Sequence, residues 1–383
     1  DPEMSRGLGD VYKRQPFMAS GTAGNWLFVD GEKSLYINPA GLVSSDLTWE
    51  KASTFNIGLD FTMLNQRLDF SFDWYQRTTS DMLVKVEYPE VLGTTAPPAN
   101  KAELRTRGWE VSVKWNDRIG NDFSYDLGFI LSDSQAEITK YENPSGTLSD
   151  YYVGQKIGEI WGYETEGFYQ SDTDVQNHAD QSKLGANWAP GDIMYKDLDG
   201  NKKINNGSNT LDDHGDLKVI GNTTPRYQYG ITANMSYKNV YLNVFFQGIG
   251  KRDFWPSSQP FWPVATQYYN TQKWFVTDSW SEDNRDAYFA RPIARETKNQ
   301  QKQTKYLQDA SYCRLKNLTV GYDFPKSWLS FLHVAKAGVY FSAENLFEFT
   351  NVKGAYDPEA AGKNGTMVYP FQRTYSFGLN VTF

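Results

Sequence analysis

Cysteine is almost missing. Of 383 residues only Cys313 carries a thiol, which excludes an internal disulfide framework and any cysteine zinc cluster. Histidine is nearly as scarce, and His178, His214 and His333 lie too far apart in sequence to share a metal-ligand spacing. A basic excess is absent as well: 38 Lys+Arg stand against 46 Asp+Glu, for a net charge of −8. A nucleic-acid binder needs a positive stripe to neutralise phosphates, so that class is excluded. No apolar run approaches the roughly 20 residues that a spanning helix requires. This excludes a helical membrane protein but not a transmembrane barrel, whose strands put only alternate residues in lipid. What the chain has in excess is aromatic side chains, at 16%.

Catalytic signatures are also missing. No Gly-x-Ser-x-Gly elbow, His-Glu-x-x-His helix or phosphate-cradling glycine loop occurs, so nothing points to an enzyme. A glycoside hydrolase would need two carboxylates flanking an aromatic cleft, and the spacing of the acids pairs no two of them. The chain opens with Asp1-Pro2-Glu3-Met4 and has no basic start, apolar h-region or small-residue cleavage site. The run Gly9-Asp10-Val11-Tyr12-Lys13-Arg14-Gln15 looks like translated sequencing-adapter sequence. Residues 1–15 are therefore expected to be a non-native leader, 16–47 an unclear start, and 48–383 the folded part of a longer protein.

From Thr54 the pattern has a period of two. Phe55, Ile57, Leu59 and Phe61 fall on one face and Asn56, Gly58 and Asp60 on the other, which is the mark of a half-buried strand. Leu68, Phe70, Phe72 and Trp74 resume it after a short turn, so the two runs make a hairpin. A second hairpin pairs Trp109 to Trp115 with Phe123 to Leu131, and a third pairs Tyr227 to Tyr237 with Val240 to Phe246. Further strands are expected at Tyr312 to Asp323, Val334 to Leu346 and Arg373 to Phe383.

Connections between these strands alternate in length. Short ones are expected at 62–66, 117–121, 238–239 and 324–333, and long Gly/Pro/Asn-rich ones at 78–105, 134–225, 250–310 and 346–370. Outer-membrane barrels have short periplasmic turns and long extracellular loops, so this parity places the C-terminus in the periplasm. Asn56, Asp60, Asp69, Asp73, Glu110, Lys114 and Asn243 are too polar for a packed core and suit a wide wet lumen. Trp74, Tyr75, Trp109, Trp115, Tyr237 and Tyr241 near strand ends suit interfacial girdles facing outer-membrane lipid. The competing reading is a secreted β-sandwich that binds carbohydrate through its Trp and Tyr faces.

Several ordered segments carry a family likeness: Leu47-Thr48-Trp49-Glu50-Lys51, Gly191-Asp192-Ile193-Met194-Tyr195-Lys196-Asp197-Leu198-Asp199-Gly200, Pro225-Arg226-Tyr227, Arg314-Leu315-Lys316-Asn317-Leu318, Ser342-Ala343-Glu344-Asn345-Leu346-Phe347 and Tyr369-Pro370-Phe371-Gln372-Arg373. Together they resemble the C-terminal barrel half of the SusC/RagA family of TonB-dependent outer-membrane transporters. The resemblance implies an all-β antiparallel transmembrane barrel of about 22 strands with a plug, of which this chain supplies roughly the last nine or ten. It also implies import of a glycan or peptide, powered by TonB through a part absent from this chain and lidded by a SusD-like surface lipoprotein. An open sheet of that size has two unpaired edges, so the chain alone is not expected to insert as a stable barrel.

Two loops offer binding chemistry. Asp197, Asp199 and Asn201 alternate as the oxygen ligands of a calcium loop do, because a hard cation needs several oxygens converging in one turn. The calcium-loop pattern is incomplete, with Lys202 where a glycine belongs and Ser208 where an acid belongs, and Asp212 or Asp213 is expected to supply the missing carboxylate. The other reading is a polar turn whose side chains cap their own backbone. No other cofactor is expected. The second loop holds Trp255, Trp262, Tyr268, Tyr269 and Trp274, which would stack on sugar rings or pack against a lid protein. Alternatively it folds on its own aromatic cluster, stiffened by Pro256, Pro260 and Pro263.

Overall fold

The computed structural model describes the backbone of residues 20–27 and 33–37, and residues 42, 47–85, 97–265, 270–330, 334–354, 356–360 and 371–383 in full. The expected leader at 1–15 lies outside the described residues. Strands β1 (Ser20–Leu27) and β2 (Lys33–Ile37) pair as a separate antiparallel ribbon. The main sheet begins with β3 (Lys51–Met63), β4 (Leu68–Val84), β5 (Ala99–Ile119) and β6 (Phe123–Lys140). Four short strands follow in the next connection: β7 (Glu159–Tyr163), β8 (Thr165–Phe168), β9 (Ile193–Tyr195) and β10 (Leu217–Asn222). The sheet resumes with β11 (Arg226–Tyr237) and β12 (Val240–Lys251). After β13 (Asp253–Phe254) and β14 (Gln308–Asp309) it is completed by β15 (Tyr312–Asp323), β16 (Lys336–Thr350) and β17 (Thr374–Thr382).

The nine long strands form one antiparallel meander in the order β17-β16-β15-β12-β11-β6-β5-β4-β3. Each strand pairs with its sequential neighbour, so successive connections fall at opposite ends of the sheet. The short ones are tight because their backbones turn left-handed: Leu64, Asn65 and Gln66 at the first, Gly120 at the second and Lys238 at the third. The fourth holds a one-turn helix, Lys326–Leu329. Long and short connections alternate as the sequence pattern predicts. The strand ends are corrected, since β4 runs to Val84, β6 to Lys140 and β16 to Thr350. The β4 and β6 extensions open on polar stretches, as in Thr78-Thr79-Ser80 and Ser134-Gln135, and such a ladder lacks the alternation that marks a strand in lipid. At about 3.3 Å per residue the 21 residues of β5 span twice the length that a bilayer crossing needs.

Register decides what each face does. Phe70, Val113, Phe129 and Ile231 stand side by side across four strands, as do Leu242, Val320, Phe341 and Phe377 farther along. Ile231 remains 40% exposed although strands flank it on both sides. An apolar band left open in this way is stable only against another apolar medium. The opposite face is mostly polar, with Ile130 and Phe245 standing among its Ser, Thr, Asn and Asp side chains. Lys114 pairs with Asp126 at 3.1 Å, Asn234 donates to Asp126 at 3.1 Å, Thr62 donates to Asp69 at 2.7 Å, and the Ser124 and Ser236 hydroxyls meet at 2.7 Å. These cross-strand contacts hold the register on the wet side.

Tyr75 and Tyr241, expected in the girdles, turn to the polar face instead. Each ring lies flat over a glycine of the next strand, and a Cβ at Gly321 would sit 2.1 Å from the Tyr241 ring. Gly108 takes Tyr75 and Gly378 takes Tyr340 in the same way. Trp74 and Trp109 do meet on the apolar face.

Candidate functional site

The hydrophobic core of the described residues is not in the sheet. It lies in the two longest connections, where Tyr163, Ile193, Tyr195, Phe261, Trp262, Phe275, Trp280, Phe289 and Tyr306 bury one another. Aromatic density in 255–289 drives this, because rings with edge-to-face partners at about 5 to 6 Å gain packing energy beyond their area. The Phe261 ring centroid lies 4.9 Å from Trp262 and 5.4 Å from Phe289, and Trp262 lies 5.0 Å from Tyr306. The loop closes at Ser258, whose carbonyl accepts from the amides of Phe261 and Trp262.

Of the aromatic residues singled out in the sequence, Trp262 is thus buried, with its indole donating to the Pro256 carbonyl at 2.6 Å. Trp255 and Trp274 are half-buried and packed on the same core. Tyr268 and Tyr269 lie outside the described residues. Trp255 also lines a groove of about 540 Å³ with Trp161, Lys183 and Lys302.

A buried ionic node fastens this loop module. Asp192 is fully buried and takes two bonds from Arg291 at 2.9 Å, one from Asn299 at 2.9 Å and an ion pair from Lys298 at 3.0 Å. Burial pushes its carboxyl pKa up, but the bonds from Arg291, Asn299 and Lys298 outweigh that and hold it below the usual range. Lys298 donates further to the carbonyls of Ala186 and Asn187 and lies over the Trp188 ring. Its neighbour Tyr195 is wholly buried and donates to the Lys298 carbonyl at 2.7 Å. The sequence marks Asp192 only as part of a family-like segment, since partners about a hundred residues away leave no local pattern.

The Asp197 loop wraps round its own carboxylates. Asp197 accepts from the amides of Gly200 and Lys202, both at 2.8 Å and both with left-handed backbones. These bonds outweigh burial and hold the Asp197 carboxyl below its ordinary range. Asn201 donates to Asp199 at 2.7 Å and accepts from the Lys203 amide. The third carboxylate brought in is that of Asp216, whose ligand atom lies with those of Asp197 and Asp199 within 4.8 Å of one another. Asp212, expected in that place, is exposed on the excursion between. Asp216 is fully buried and accepts from Leu198 and Asn205, which ties β10 to the loop. Three converging carboxylates suit a hard divalent cation.

At the far end of the sheet the 351–373 connection is tied to the polar face through Arg314. This buried guanidinium on β15 donates to Glu359 at 2.7 Å and Asp357 at 2.9 Å and lies over the Phe371 ring.

Residues 12–346 match the family model described as TonB dependent receptor-like, beta-barrel. The chain belongs to the TonB-dependent receptor β-barrel family. Among its relatives, TonB-dependent receptor P3 of Formosa agariphila is 30% identical over 366 residues, which are 89% of this chain and 35% of that protein. TonB-dependent receptor SusC of Bacteroides thetaiotaomicron is 27% identical over 89% of this chain and 32% of its own length. The chain therefore spans about a third of the length of the curated relatives it matches. Among solved structures, that of the RagAB peptide transporter superposes with a TM-score of 0.72 at 24% identity, covering 97% of this chain and 39% of that one. With the family and that agreement in fold, the nine-stranded sheet is of the transmembrane-barrel kind, and the secreted-sandwich reading falls.

Proposed function

We propose that the protein carrying this chain imports a glycan or peptide nutrient across the outer membrane, drawing energy from TonB through residues outside this chain. The observation that carries the reading is the division of nine strands into an apolar and a polar face, in a chain of the TonB-dependent receptor barrel family. The apolar band meets lipid and the polar face meets the solute path. In this orientation the long connections are extracellular and the short turns and Phe383 periplasmic. The loop module then stands where solute is captured, and a SusD-like lipoprotein closes over it, as the resemblance to SusC implies. The solute passes without any bond being made or broken.

The test is uptake of labelled oligosaccharides and oligopeptides by cells with and without the intact gene, and with and without TonB. Loss of uptake of one solute class in both deletions is expected; unchanged uptake of every class without the gene overturns the reading. A hard cation such as calcium at Asp197, Asp199 and Asp216 belongs to the same proposal, as a brace for the module rather than a participant in transport.

A further inference from the structure

We infer that the groove between Trp161 and Trp255 is a binding site for an acidic glycan, a chain of uronate or sulfated sugar units. The inference rests on the import reading and names the solute class for it. The groove measures about 540 Å³, enough for two or three sugar rings at roughly 150 to 200 Å³ each. Among the described residues its walls hold Lys183 and Lys302 and no aspartate or glutamate, in a chain whose net charge is −8. Both lysines are exposed, and neither is drawn into an ion pair among the described residues. Asp180 is the acid that feels Lys183, and it is already bound by the amide and hydroxyl of Ser182 and shared with Lys203. Two ammonium groups left free in one concavity are matched by a ligand with repeated negative charge.

The other wall residues select sugar over peptide. Trp161 and Trp255 are stiff platforms: the Trp161 indole donates to the Tyr152 hydroxyl at 3.1 Å and packs on His214, while Trp255 leans on Trp262 at 6.0 Å. Flat indoles take the C–H faces of pyranose rings at little entropic cost. Asn206 and Gln301 supply amide groups for the hydroxyls. A peptide would instead seek a free strand edge to extend. On β7 that edge is already taken at Tyr163, beside Trp161. One of its edges pairs with β10, and on the other the Tyr163 amide donates to the Lys302 carbonyl at 2.8 Å while the Thr304 amide returns to the Tyr163 carbonyl.

The experiment is calorimetric titration of the full-length transporter in detergent with tetrasaccharides of galacturonate, guluronate and sulfated galactose, with neutral maltotetraose, and with tetraglutamate. At least one acidic tetrasaccharide is expected to bind, and the double variant Lys183→Gln/Lys302→Gln to weaken it tenfold or more, with a comparable loss on raising salt. Both side chains are exposed, so the variant folds as the parent does. Three results each overturn the inference: no acidic saccharide binds; the double variant binds it as tightly as the parent; or tetraglutamate alone binds and is lost in the variant, which assigns the groove to acidic peptides. The uptake assay separates this from the broader reading, because gene-dependent uptake without groove binding removes only the groove.

Discussion

Replacing Asp192 by asparagine keeps the shape of the node and removes its charge. Arg291 and Lys298 then face one another around a neutral amide, with Lys298 almost wholly enclosed. Breaking a buried ion pair by removing one partner costs about 3–5 kcal/mol, because the remaining charge stays buried without compensation. For a unit the size of this loop module about 3 °C of melting temperature is lost per kcal/mol, so the midpoint falls by roughly 10–15 °C. Two assays separate the module from the sheet. Fluorescence of Trp188, Trp262, Trp274 and Trp280, all in or against the module core, follows its unfolding. Heat-modifiable gel mobility of the full-length transporter follows the strands, and is expected to stay where it was. A fluorescence midpoint within 3 °C of the parent would refute the reasoning. The pH dependence gives a second check. The carboxyl pKa of Asp192 is depressed in the folded state, so its stabilisation is present above the unfolded value of about 3.9 and fades as pH falls through the folded one. Acid below about pH 4 should therefore loosen the parent module, and the asparagine variant should have a flatter profile in that window.

Three other outcomes follow from the same geometry. Gly321→Val drives a side chain into the Tyr241 ring, where even the Cβ would lie 2.1 Å away, and is expected to stop heat-modifiable folding while Gly230→Ala, whose Cβ would find its nearest neighbour at 3.4 Å, does not. In the full-length transporter Ile231→Lys places a charge in the apolar band at a cost of about 2–4 kcal/mol and is expected to impair insertion into vesicles, whereas Asn234→Lys on the polar face inserts normally; equal insertion of the two would refute the assignment of faces. Calorimetry is expected to register calcium uptake by the Asp197 loop, lost in Asp216→Ala and kept in Asp212→Ala; no uptake by the parent removes the cation reading.

The strands were legible because lipid imposes a rule on each residue in turn. Phe55, Ile57, Leu59 and Phe61 alternate with Asn56, Gly58 and Asp60, and such a pattern is local. The polar stretches on which β4 and β6 continue were not, since they lack the alternation that lipid requires. Tyr75 and Tyr241 went astray for another reason: a tyrosine beside a strand end reads as a girdle residue, and only the glycine on the neighbouring strand shows which face its ring must cover. The site was legible in its first half alone. Asp197 and Asp199 announce themselves by spacing, whereas Asp216 reaches them across an excursion whose length no spacing rule constrains. Asp192 is the extreme case, a lone acid in sequence whose partners Arg291, Lys298 and Asn299 arrive from the other long connection.

The distribution of apolar surface gives the two parts different sources of stability. On the sheet, Phe129, Ile231 and Val320 keep about two-fifths of their surface open, so their burial is completed only by lipid or detergent. In the module, Ile193, Tyr195, Ile204 and Tyr306 are closed off by the protein itself, and the charges of Asp192 and Lys298 are closed off with them. Delipidation therefore acts on the first part and denaturant or acid on the second. A module whose core is closed off by the protein itself does not borrow its order from the membrane. The aromatic core and the Asp192 node give it an order of its own; Trp255 takes its position from that core, and Trp161 is held by Tyr152 and His214.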